Sequence, residues 1–334
     1  MVEGDSLFQI ELNTISASLA GLSTNLARLR RQQFKDVPVN EAAPKIAQGM
    51  IAAIREYCKE FGVSSASVLF IVQEQERNVF DQQELADCLL DSGIKVLRKP
   101  LNTPFQLSTD ARLLVDDQEI GLIYYRAGYS PQEYTSEDFW TSRQVLEGSR
   151  AIKCPDIAAH LAGLKKIQQV LTKPKLLQKV MLNEMEKCGE LQSCFVSIAS
   201  LDPADPETRE NIQAALVEPE RFVLKPQREG GGNNIYGAAI PKAISSLSAD
   251  ELSAYILMQR IRPAITPETP ILKNGVESRI DAISELGIYG YILASNDKVL
   301  ANETCGWLLR TKPVECDEGG LITGYSVLDC PSLN

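Results

Sequence analysis

The sequence has very few of the residues on which most hydrolytic and zinc-dependent enzymes rely. It contains a single histidine, His160, and its eight cysteines form no C-x-x-C pair. A zinc site built from clustered ligands and a Ser-His-Asp triad are therefore both disfavoured. The chemistry must come from carboxylates, cations, amides and the backbone.

Long apolar runs and an excess of basic residues are also missing. No stretch of about 18 apolar residues occurs, so no membrane span is expected, and residues 1–12 lack the pattern of a signal peptide. The formal net charge of −10 argues against nucleic acid as the main partner. Dispersed cysteines in a chain of 334 residues are typical of reduced thiols, which predicts a cytoplasmic protein.

The hydrophobic pattern predicts a mixture of helices and strands. Residues 8–18 begin as an alternating strand, and residues 41–61 form an amphipathic helix that ends at Gly62. A continuous apolar run at 67–72 is typical of a strand covered on both faces. The other predicted elements are strands at 94–99, 119–126, 221–226, 254–261 and 283–294, helices at 82–93 and 156–171, and surface connections at 202–220 and 262–275.

The order of these elements predicts an α/β (α+β) chain with two domains. Strand, helix and strand alternate in residues 62–160, which indicates a small parallel α/β domain. It is inserted between residues 1–61 and 161–334, which together form a second, discontinuous unit.

The most informative stretch is RFVLKPQREGGGNNIYG at 221–237. A strand delivers Lys225 at its end, and three glycines without Cβ atoms follow, so their amides can approach a phosphate chain closely. Glu229 beside such a loop is suited to hold a magnesium ion that bridges phosphates, and Asn234 offers a neutral oxygen. The P-loop signature is absent. A flexible surface loop is the alternative interpretation.

The stretch LKPQREGGGNN resembles the glycine-rich loop of eukaryotic glutathione synthetases. Further stretches resemble the same family in the same order, across essentially the whole chain: FQIELNTISAS, QERNVFDQ, KCPDIAAHLAGLKKIQQ, ISELGIYG and LLRTK. The resemblance implies an ATP-grasp-like catalytic unit with 62–160 as the inserted substrate-binding domain. It also implies a homodimer that condenses γ-glutamylcysteine with glycine, using ATP and magnesium.

The resemblance also implies particular nucleotide and metal residues. About two magnesium ions are expected at Glu11, Asn13 and Glu229. The ATP contacts are expected at Asn13, Lys165, Lys225, Glu229, Asn234, Tyr236, Met258, Ile261, Glu285, Lys312 and Glu318. Among these, Met258 and Ile261 are implied to hold the adenine ring, with backbone atoms of their strand reading the base edge.

A second set of residues is implied for the dipeptide, the acceptor and the reaction itself. The substrate contacts are expected at Ile15, Ser16, Ala17, Ser18, Glu76, Arg77, Asn78, Gln82, Arg126, Tyr129, Arg310, Leu321 and Ile322. Catalytic roles are expected for Lys225, Gly230, Gly231 and Arg310. An arginine grips a carboxylate with a planar two-point fork that a lysine lacks.

The chemistry of the reaction makes these residue types reasonable. A carboxylate does not react with an amine at neutral pH without activation, so the expected route phosphorylates the cysteinyl carboxylate of the dipeptide. The amine then displaces phosphate from the acyl phosphate. Phosphoryl transfer depends on positioning and on charge neutralisation, which carboxylate-bound magnesium and lysines supply.

Two departures from the family leave alternatives open. The family has a substantial N-terminal portion ahead of FQIELNTIS, which makes a truncated, catalytically impaired nucleotide-binding homologue the first alternative. Residues 319–324 read GGLITG in place of a GGVAAG-like loop, and Ala127 replaces an aspartate. Extra methylenes shift substrate discrimination by about 1–3 kcal/mol. A related ligase that uses β-alanine or serine is therefore the second alternative.

Overall fold

The structure is a computed structural model that describes residues 1–182, 184–229, 232–273, 275–295, 298–321 and 324–332. The chain divides into two compact units. The first unit comprises Met1–Asn13, Leu161–Glu285 and Thr311–Val327, and the second comprises Thr14–His160, Leu286–Arg310 and Leu328–Asn334.

Helices and sheets occur in both units, which confirms the predicted mixed class. The helices are α1 Ala20–Arg31, α2 Ala42–Phe61, α3 Val79–Asp91, α4 Glu137–Gly148, α5 Ile157–Ala162, α6 Lys165–Leu171, α7 Pro174–Val180, α8 Met185–Ser193, α9 Thr208–Val217, α10 Ala239–Ser246 and α11 Ala249–Ser253. The strands are β1 Val2–Glu3, β2 Ser6–Leu7, β3 Ser67–Val72, β4 Val96–Pro100, β5 Gln106–Leu107, β6 Leu113–Val115, β7 Gln118–Tyr125, β8 Ile152–Cys154, β9 Ile198–Ser200, β10 Phe222–Pro226, β11 Ile235–Tyr236, β12 Tyr255–Gln259, β13 Thr266–Lys273, β14 Val276–Ser295, β15 Lys298–Pro313 and β16 Val327–Asp329. No helix in the described ranges is both long enough and apolar enough to cross a bilayer.

The second unit is built on a mainly parallel sheet with the strand order β4-β3-β7-β6-β5, and β8 pairs with β7. β3 runs parallel to both β4 and β7, as the alternation of strand and helix predicts. All six residues of β3 are buried because apolar clusters cover both faces of the sheet. The prediction drawn from the apolar run at 67–72 is confirmed.

The helices α2 and α3 cover one face of this sheet. Met50, Ile54 and Tyr57 of α2 share a cluster with Phe70 of β3, and α2 ends at a left-handed Gly62, as predicted. Residues 14–61 therefore belong to the same compact unit as the parallel sheet, whereas the sequence interpretation joined them to the other unit. The amphipathic pattern identifies the buried face of a helix but not the element that covers it.

The first unit contains an antiparallel sheet with the order β11-β10-β12-β9. Leu224 of β10 and Leu257 of β12 pack with the helices α9 and α10 in one apolar cluster. Side chains alternate between the two faces of a strand. Lys225 and Met258 therefore lie on the face opposite to this cluster.

A third sheet has the order β13-β14-β15-β16, and the bounds of the two units fall within its long strands. The predicted strand at 283–294 lies within β14 and is longer at both ends. β15 includes the LLRTK stretch.

The strand predicted for the beginning of residues 8–18 is wrong, because residues 8–18 form no ladder. Some of its backbone groups bond to isolated backbone partners, such as the Gln9 amide to the Cys194 carbonyl oxygen at 2.8 Å, and others bond to side chains. The carbonyl oxygen of Ile10 accepts from Lys225 Nζ at 3.2 Å, and the Leu12 amide donates to Gln168 Oε1 at 3.2 Å. An alternating pattern predicts extended backbone but cannot say whether a neighbouring strand is available.

Three further predictions need correction. The helix expected at 156–171 is interrupted between α5 and α6, where Gly163 intervenes and Leu164 has extended dihedrals. The connection at 202–220 contains α9, and the one at 262–275 contains β13. α9 buries few side chains, and β13 is an edge strand that tolerates prolines. The sequences of α9 and β13 therefore lack the apolar periodicity by which a helix or a strand is predicted.

Two helical glycines provide a test of the packing. A Cβ atom built on Gly49 of α2 would lie 2.6 Å from the Tyr291 ring, whereas one built on Gly189 of α8 meets nothing within 4 Å. We expect Gly49→Ala to lower the melting temperature by about 2–6 °C, because overpacking outweighs the gain in helix propensity. Gly189→Ala should leave the melting temperature unchanged or raise it. Calorimetry that shows the same direction for both variants would contradict this packing.

Candidate functional site

The first unit buries an unusual group of ionisable side chains, the lysine–glutamate cluster, which consists of Glu11, Lys165, Lys225, Glu229, Glu285 and Lys312. Three lysines are about as buried as core leucines: Lys165 and Lys225 are 5% exposed and Lys312 is 4% exposed. They come from α6, β10 and β15. Buried lysines are rare unless each is paired.

Each lysine has an identified partner. Lys165 Nζ lies 2.9 Å from Glu229 Oε1 and donates to the Arg228 carbonyl oxygen at 2.8 Å. Lys312 Nζ lies 2.9 Å from Glu285 Oε1 and donates to the Asp317 carbonyl oxygen at 2.9 Å. Lys225 has its hydrogen bond to the Ile10 carbonyl oxygen. The sequence placed these residues in one site, and the structure brings them together.

The cluster perturbs its own ionisation. Burial lowers the pKa of the Lys225 ammonium, and the Lys165 charge lowers it further, while the Glu11, Glu285 and Glu229 carboxylates oppose the shift. Burial raises the pKa of the Glu229 carboxyl; Lys165 opposes that shift, and the Glu11 carboxylate adds to it. Glu11 and Glu229 are therefore close enough to act on one another, as a shared metal site requires.

The carboxylates of the cluster suit a magnesium ion that also has phosphate ligands. Glu11 Oε1 accepts from Asn13 Nδ2 at 3.1 Å. Among the described residues, no group of three or more histidine, cysteine, aspartate or glutamate side chains is arranged to hold a metal. Magnesium is typically held by one or two carboxylates, with phosphate oxygens and waters completing the octahedron. Glu11 and Glu229 fit that chemistry, and a metal cage made of protein alone does not.

The residues around the glycine loop contact the segment 316–320. The Gly232 amide donates to Glu318 Oε2 at 2.9 Å. Asn234 Nδ2 donates to the Tyr236 hydroxyl at 3.1 Å, and that hydroxyl donates to the Asp317 carbonyl oxygen at 3.4 Å. Three predicted ATP contacts thus lie in one neighbourhood. Gly230, Gly231 and Ile322 lie outside the described residues, and Leu321 is half-buried at the end of this segment.

Met258 and Ile261 differ in their surroundings. Met258 is buried, and its Cα pairs with Val223 on one side and with Ile198 on the other. Ile261 lies beyond the end of β12 and is half-buried. Of the two, Ile261 is in irregular chain, where backbone groups are not committed to a central sheet ladder.

The second unit gathers a different group, the carboxyl-edge cluster, at the ends of parallel strands. We define it as residues 16–18, Glu76, Asn78, Gln82, Arg98, Arg126 and Tyr129. β3 and β7 end at Val72 and Tyr125, and ligands of open α/β sheets bind outside the carboxyl ends of such strands.

Arg126 connects two parts of the cluster. Its side chain is 5% exposed; Nη1 donates to the Ala17 carbonyl oxygen at 2.8 Å and Nη2 to Ser18 Oγ at 2.5 Å. The Ser18 carbonyl oxygen also accepts from the Tyr289 hydroxyl. Arg310 and Arg126 both act electrostatically on that hydroxyl, so Arg310 belongs to the same neighbourhood.

Two predicted substrate residues have other surroundings. Ile15 is buried in the apolar cluster on one face of the parallel sheet, so its side chain is part of the hydrophobic core. Arg77 is exposed and has no hydrogen bond or ion pair with another described residue. Tyr129 is half-buried, and its hydroxyl accepts from Gln73 Nε2 at 3.2 Å.

Asp81, which the sequence interpretation missed, binds the start of α1 directly after the 16–18 segment. Its buried carboxylate accepts from the amides of Leu19, Gly21 and Leu22 at 2.7, 2.8 and 3.2 Å. Leu19 has a left-handed φ of 76°, which costs on the order of 1–3 kcal/mol for such a residue. The only sequence signal was an acidic residue between the predicted contacts Asn78 and Gln82.

Glu133 does the same for the segment after Arg126. Its carboxylate accepts from the amides of Gly128, Tyr129 and Ser130 at 2.9, 3.2 and 3.1 Å. Gly128 has a φ of 82°, which favours glycine. An internal carboxylate bound to three backbone amides therefore fixes the backbone directly after residues 16–18 and the backbone that carries Tyr129.

The Asp81 contacts can be tested by amide hydrogen exchange. Asp81→Asn keeps the shape of the side chain but replaces one acceptor oxygen with a donor, so at least one amide loses its partner. We expect at least one of the Leu19, Gly21 and Leu22 amides to exchange about tenfold faster. Asp87→Asn, on the exposed side of the same helix, is the matched control and should leave these rates unchanged. Unaltered protection in Asp81→Asn would rule out the assigned role.

Comparisons with known proteins identify the family of the chain. Residues 2–333 match the family described as "Eukaryotic glutathione synthase, ATP binding domain". The chain is 41% identical to the chloroplastic glutathione synthetase of Solanum lycopersicum, over 97% of this chain and 60% of that protein. It is 40% identical to the glutathione synthetase of Homo sapiens, over 98% of this chain and 70% of that protein.

A solved structure has a similar fold. The apo form of a glutathione synthetase-like effector from Globodera pallida matches with a TM-score of 0.74 at 20% identity, over 98% of this chain and 71% of that chain. The chain thus spans 60% to 70% of the length of the two relatives named above. By the extent of the match and by sequence identity, the chain belongs to the eukaryotic glutathione synthase family.

Proposed function

We propose that the chain catalyses the ATP- and magnesium-dependent joining of γ-glutamylcysteine to glycine, which forms glutathione. The observation that supports this proposal most strongly is the lysine–glutamate cluster. Three buried ammonium groups beside a pair of mutually repelling carboxylates form a site for a polyanion and its metal ion. The relatives at about 40% identity are named for the same activity.

In this proposal the three buried lysines bind the phosphates of ATP. Each ammonium exchanges its internal partner for a phosphate oxygen, so the charge of the nucleotide replaces that of Glu229 and Glu285. This exchange leaves Glu229 available beside Glu11. Bound magnesium would neutralise charge on the phosphates, and these two residues would hold it.

The reaction then proceeds in two displacements. A carboxylate oxygen of the cysteinyl residue attacks the γ-phosphorus, the bond to the β-phosphate oxygen breaks, and ADP leaves. The glycine amine attacks the carbonyl carbon of the acyl phosphate, inorganic phosphate leaves, and the amine loses a proton. Lys165, Lys225 and Lys312 stabilise the negative charge that moves during the first displacement.

The carboxyl-edge cluster and Arg310 supply the binding of the dipeptide. γ-Glutamylcysteine has two carboxylates and one ammonium at neutral pH. Arg126 and Arg310 match the carboxylates, and Glu76 matches the ammonium. Arginine suits this role because its planar fork binds a carboxylate at two points.

The acceptor, the assembly and the location remain part of the proposal. Glycine is the proposed acceptor. β-Alanine and serine stay as alternatives because part of the GGLITG loop lies outside the described residues. The homodimer is carried over from the family. A cytoplasmic location stays a prediction, since the relatives include chloroplastic enzymes.

The first test measures ADP release by the purified chain. We expect release that requires both γ-glutamylcysteine and glycine, with a higher kcat/KM for glycine than for β-alanine. Glu229→Gln should lower kcat/KM at least about 100-fold, because it removes a metal ligand and a charge. Glu186→Gln, an exposed change in α8, is the control and should have no effect. ATP binding without turnover would support the impaired homologue instead.

The depressed pKa of Lys225 predicts proton uptake when ATP binds. In the free chain part of this lysine is neutral at alkaline pH below 10.5, and a bound phosphate favours its charged form. ATP affinity should therefore weaken as the pH rises through this range. Lys225→Arg remains charged throughout and should take up fewer protons.

Calorimetry in two buffers with different ionisation enthalpies measures the number of protons taken up. The difference between the wild type and Lys225→Arg isolates the contribution of this position from those of ATP and Glu229. An equal uptake in both proteins would show that Lys225 does not lie at the phosphates.

A further inference from the structure

Arg98 is a charged residue of the carboxyl-edge cluster that is not among the predicted substrate residues. It lies in β4, where its Cα pairs with that of Phe70 in the central strand β3. Its guanidinium carbon is 6.0 Å from the centroid of the Phe70 ring. Phe70 in turn pairs with Tyr124, whose ring lies 5.7 Å from the guanidinium carbon of Arg126. Two arginines thus stand over one aromatic pair at the same end of the sheet.

Arg98 begins a chain of hydrogen bonds that passes through two predicted substrate residues. Its Nη2 donates to Gln82 Oε1 at 2.5 Å, and Gln82 Nε2 donates to Glu76 Oε2 at 2.7 Å. The other oxygen of Glu76 accepts from the Asn78 amide at 2.8 Å. Because a guanidinium has only donors, it can face only the carbonyl oxygen of the Gln82 amide. The amide nitrogen is thereby directed at Glu76.

Gln82 itself is too deeply placed to act alone. It is 1% exposed, whereas Glu76 is half-buried. The group that a ligand can reach is therefore the Glu76 carboxylate, at the end of this series of hydrogen bonds. The orientation of that carboxylate depends on Gln82, and the orientation of Gln82 depends on Arg98.

The electrostatics also favour a functional arrangement over simple packing. Arg98 Nη1 is buried and has no hydrogen-bond partner among the described residues, and neither has Arg126 Nε. A buried donor without a partner is destabilising, and more so when it is charged. Burial and the nearby Arg126 lower the pKa of Arg98, while Glu76 opposes the shift. Arg98 thus interacts with both a like charge and a carboxylate, and such a neighbourhood suits a ligand with charges of both signs.

We propose that Arg98 is a positioning residue for the dipeptide, which acts through Gln82 to orient the Glu76 carboxylate toward the ammonium group of the γ-glutamyl residue. This inference rests on the proposed function. It assigns Arg98 to dipeptide affinity and not to nucleotide binding or to phosphoryl transfer.

The test measures the Kd of γ-glutamylcysteine by calorimetry and the steady-state constants of the full chain. Arg98→Met should raise the Kd and the KM of the dipeptide about tenfold, the equivalent of one charge-assisted hydrogen bond. The kcat should change less than about twofold, because the same binding interaction is lost from the ground state and from the transition state. The Kd of ATP should also change less than about twofold, because Arg98 is not assigned to nucleotide binding. Arg98→Lys retains one donor and should recover part of the affinity.

The matched control is Lys99→Met, one residue further along β4. Lys99 pairs with Asp116 at 2.8 Å, outside the carboxyl-edge cluster. This variant therefore also removes a long cationic side chain from β4, but it leaves the hydrogen bonds from Arg98 through Gln82 to Glu76 intact. The control should bind dipeptide as the wild type does. If Lys99→Met and Arg98→Met weaken binding equally, the effect is one of stability and the inference is wrong.

A double mutant separates positioning from independent binding. If Arg98 acts through Gln82, then Arg98→Met combined with Gln82→Met should bind the dipeptide no more weakly than the weaker single variant. Losses that multiply would overturn the inference and show that Arg98 contacts the ligand by itself. A wild-type chain that binds no γ-glutamylcysteine would overturn the proposed function as well. Binding by the wild type that is unaffected by Arg98→Met would overturn this inference alone.

Discussion

The pairing of buried lysines with carboxylates is the interaction on which the proposed nucleotide site depends. An ammonium removed from water is strongly destabilising unless an opposite charge and hydrogen bonds compensate it. Lys165 and Lys312 are compensated by Glu229 and Glu285. These pairs keep cations deep in the first unit before a ligand arrives. They also keep each of these ammonium groups paired until a polyanion takes the place of its carboxylate.

In the second unit, internal carboxylates stabilise the backbone near the carboxyl edge of the parallel sheet. Asp81 accepts from the amides of Leu19 and of the first turn of α1, and Glu133 accepts from three consecutive amides after Arg126. In both places a carboxylate binds backbone amides that would otherwise lack a partner. Rigid support of this kind lets a site retain its geometry without a ligand. Arg98 orients side chains in a similar way, through its hydrogen bond to Gln82 and that of Gln82 to Glu76.

Much of this could be predicted from the sequence, and the failures have physical causes. The apolar run of β3 and the stripe of α2 were recognised because burial leaves a periodic pattern. The strand expected at the beginning of 8–18 was wrong because its backbone groups bond to separate partners, which include Gln168 and Lys225, and not to a neighbouring strand. Lys225 and Glu229 were found through the glycine motif beside them. Asp81, Glu133 and Arg98 were missed because their partners are backbone amides or an amide side chain, and such contacts leave no spacing in the sequence.

The central claim is that ATP and magnesium take the places of the internal partners in the lysine–glutamate cluster. A crystal structure of the chain with magnesium and a non-hydrolysable ATP analogue tests this most directly. The account predicts that Glu11 and Glu229 both coordinate metal at about 2.0–2.1 Å, with the ammonium groups of Lys165, Lys225 and Lys312 on phosphate oxygens. A nucleotide bound elsewhere, with the Lys165–Glu229 and Lys312–Glu285 pairs intact, would contradict it.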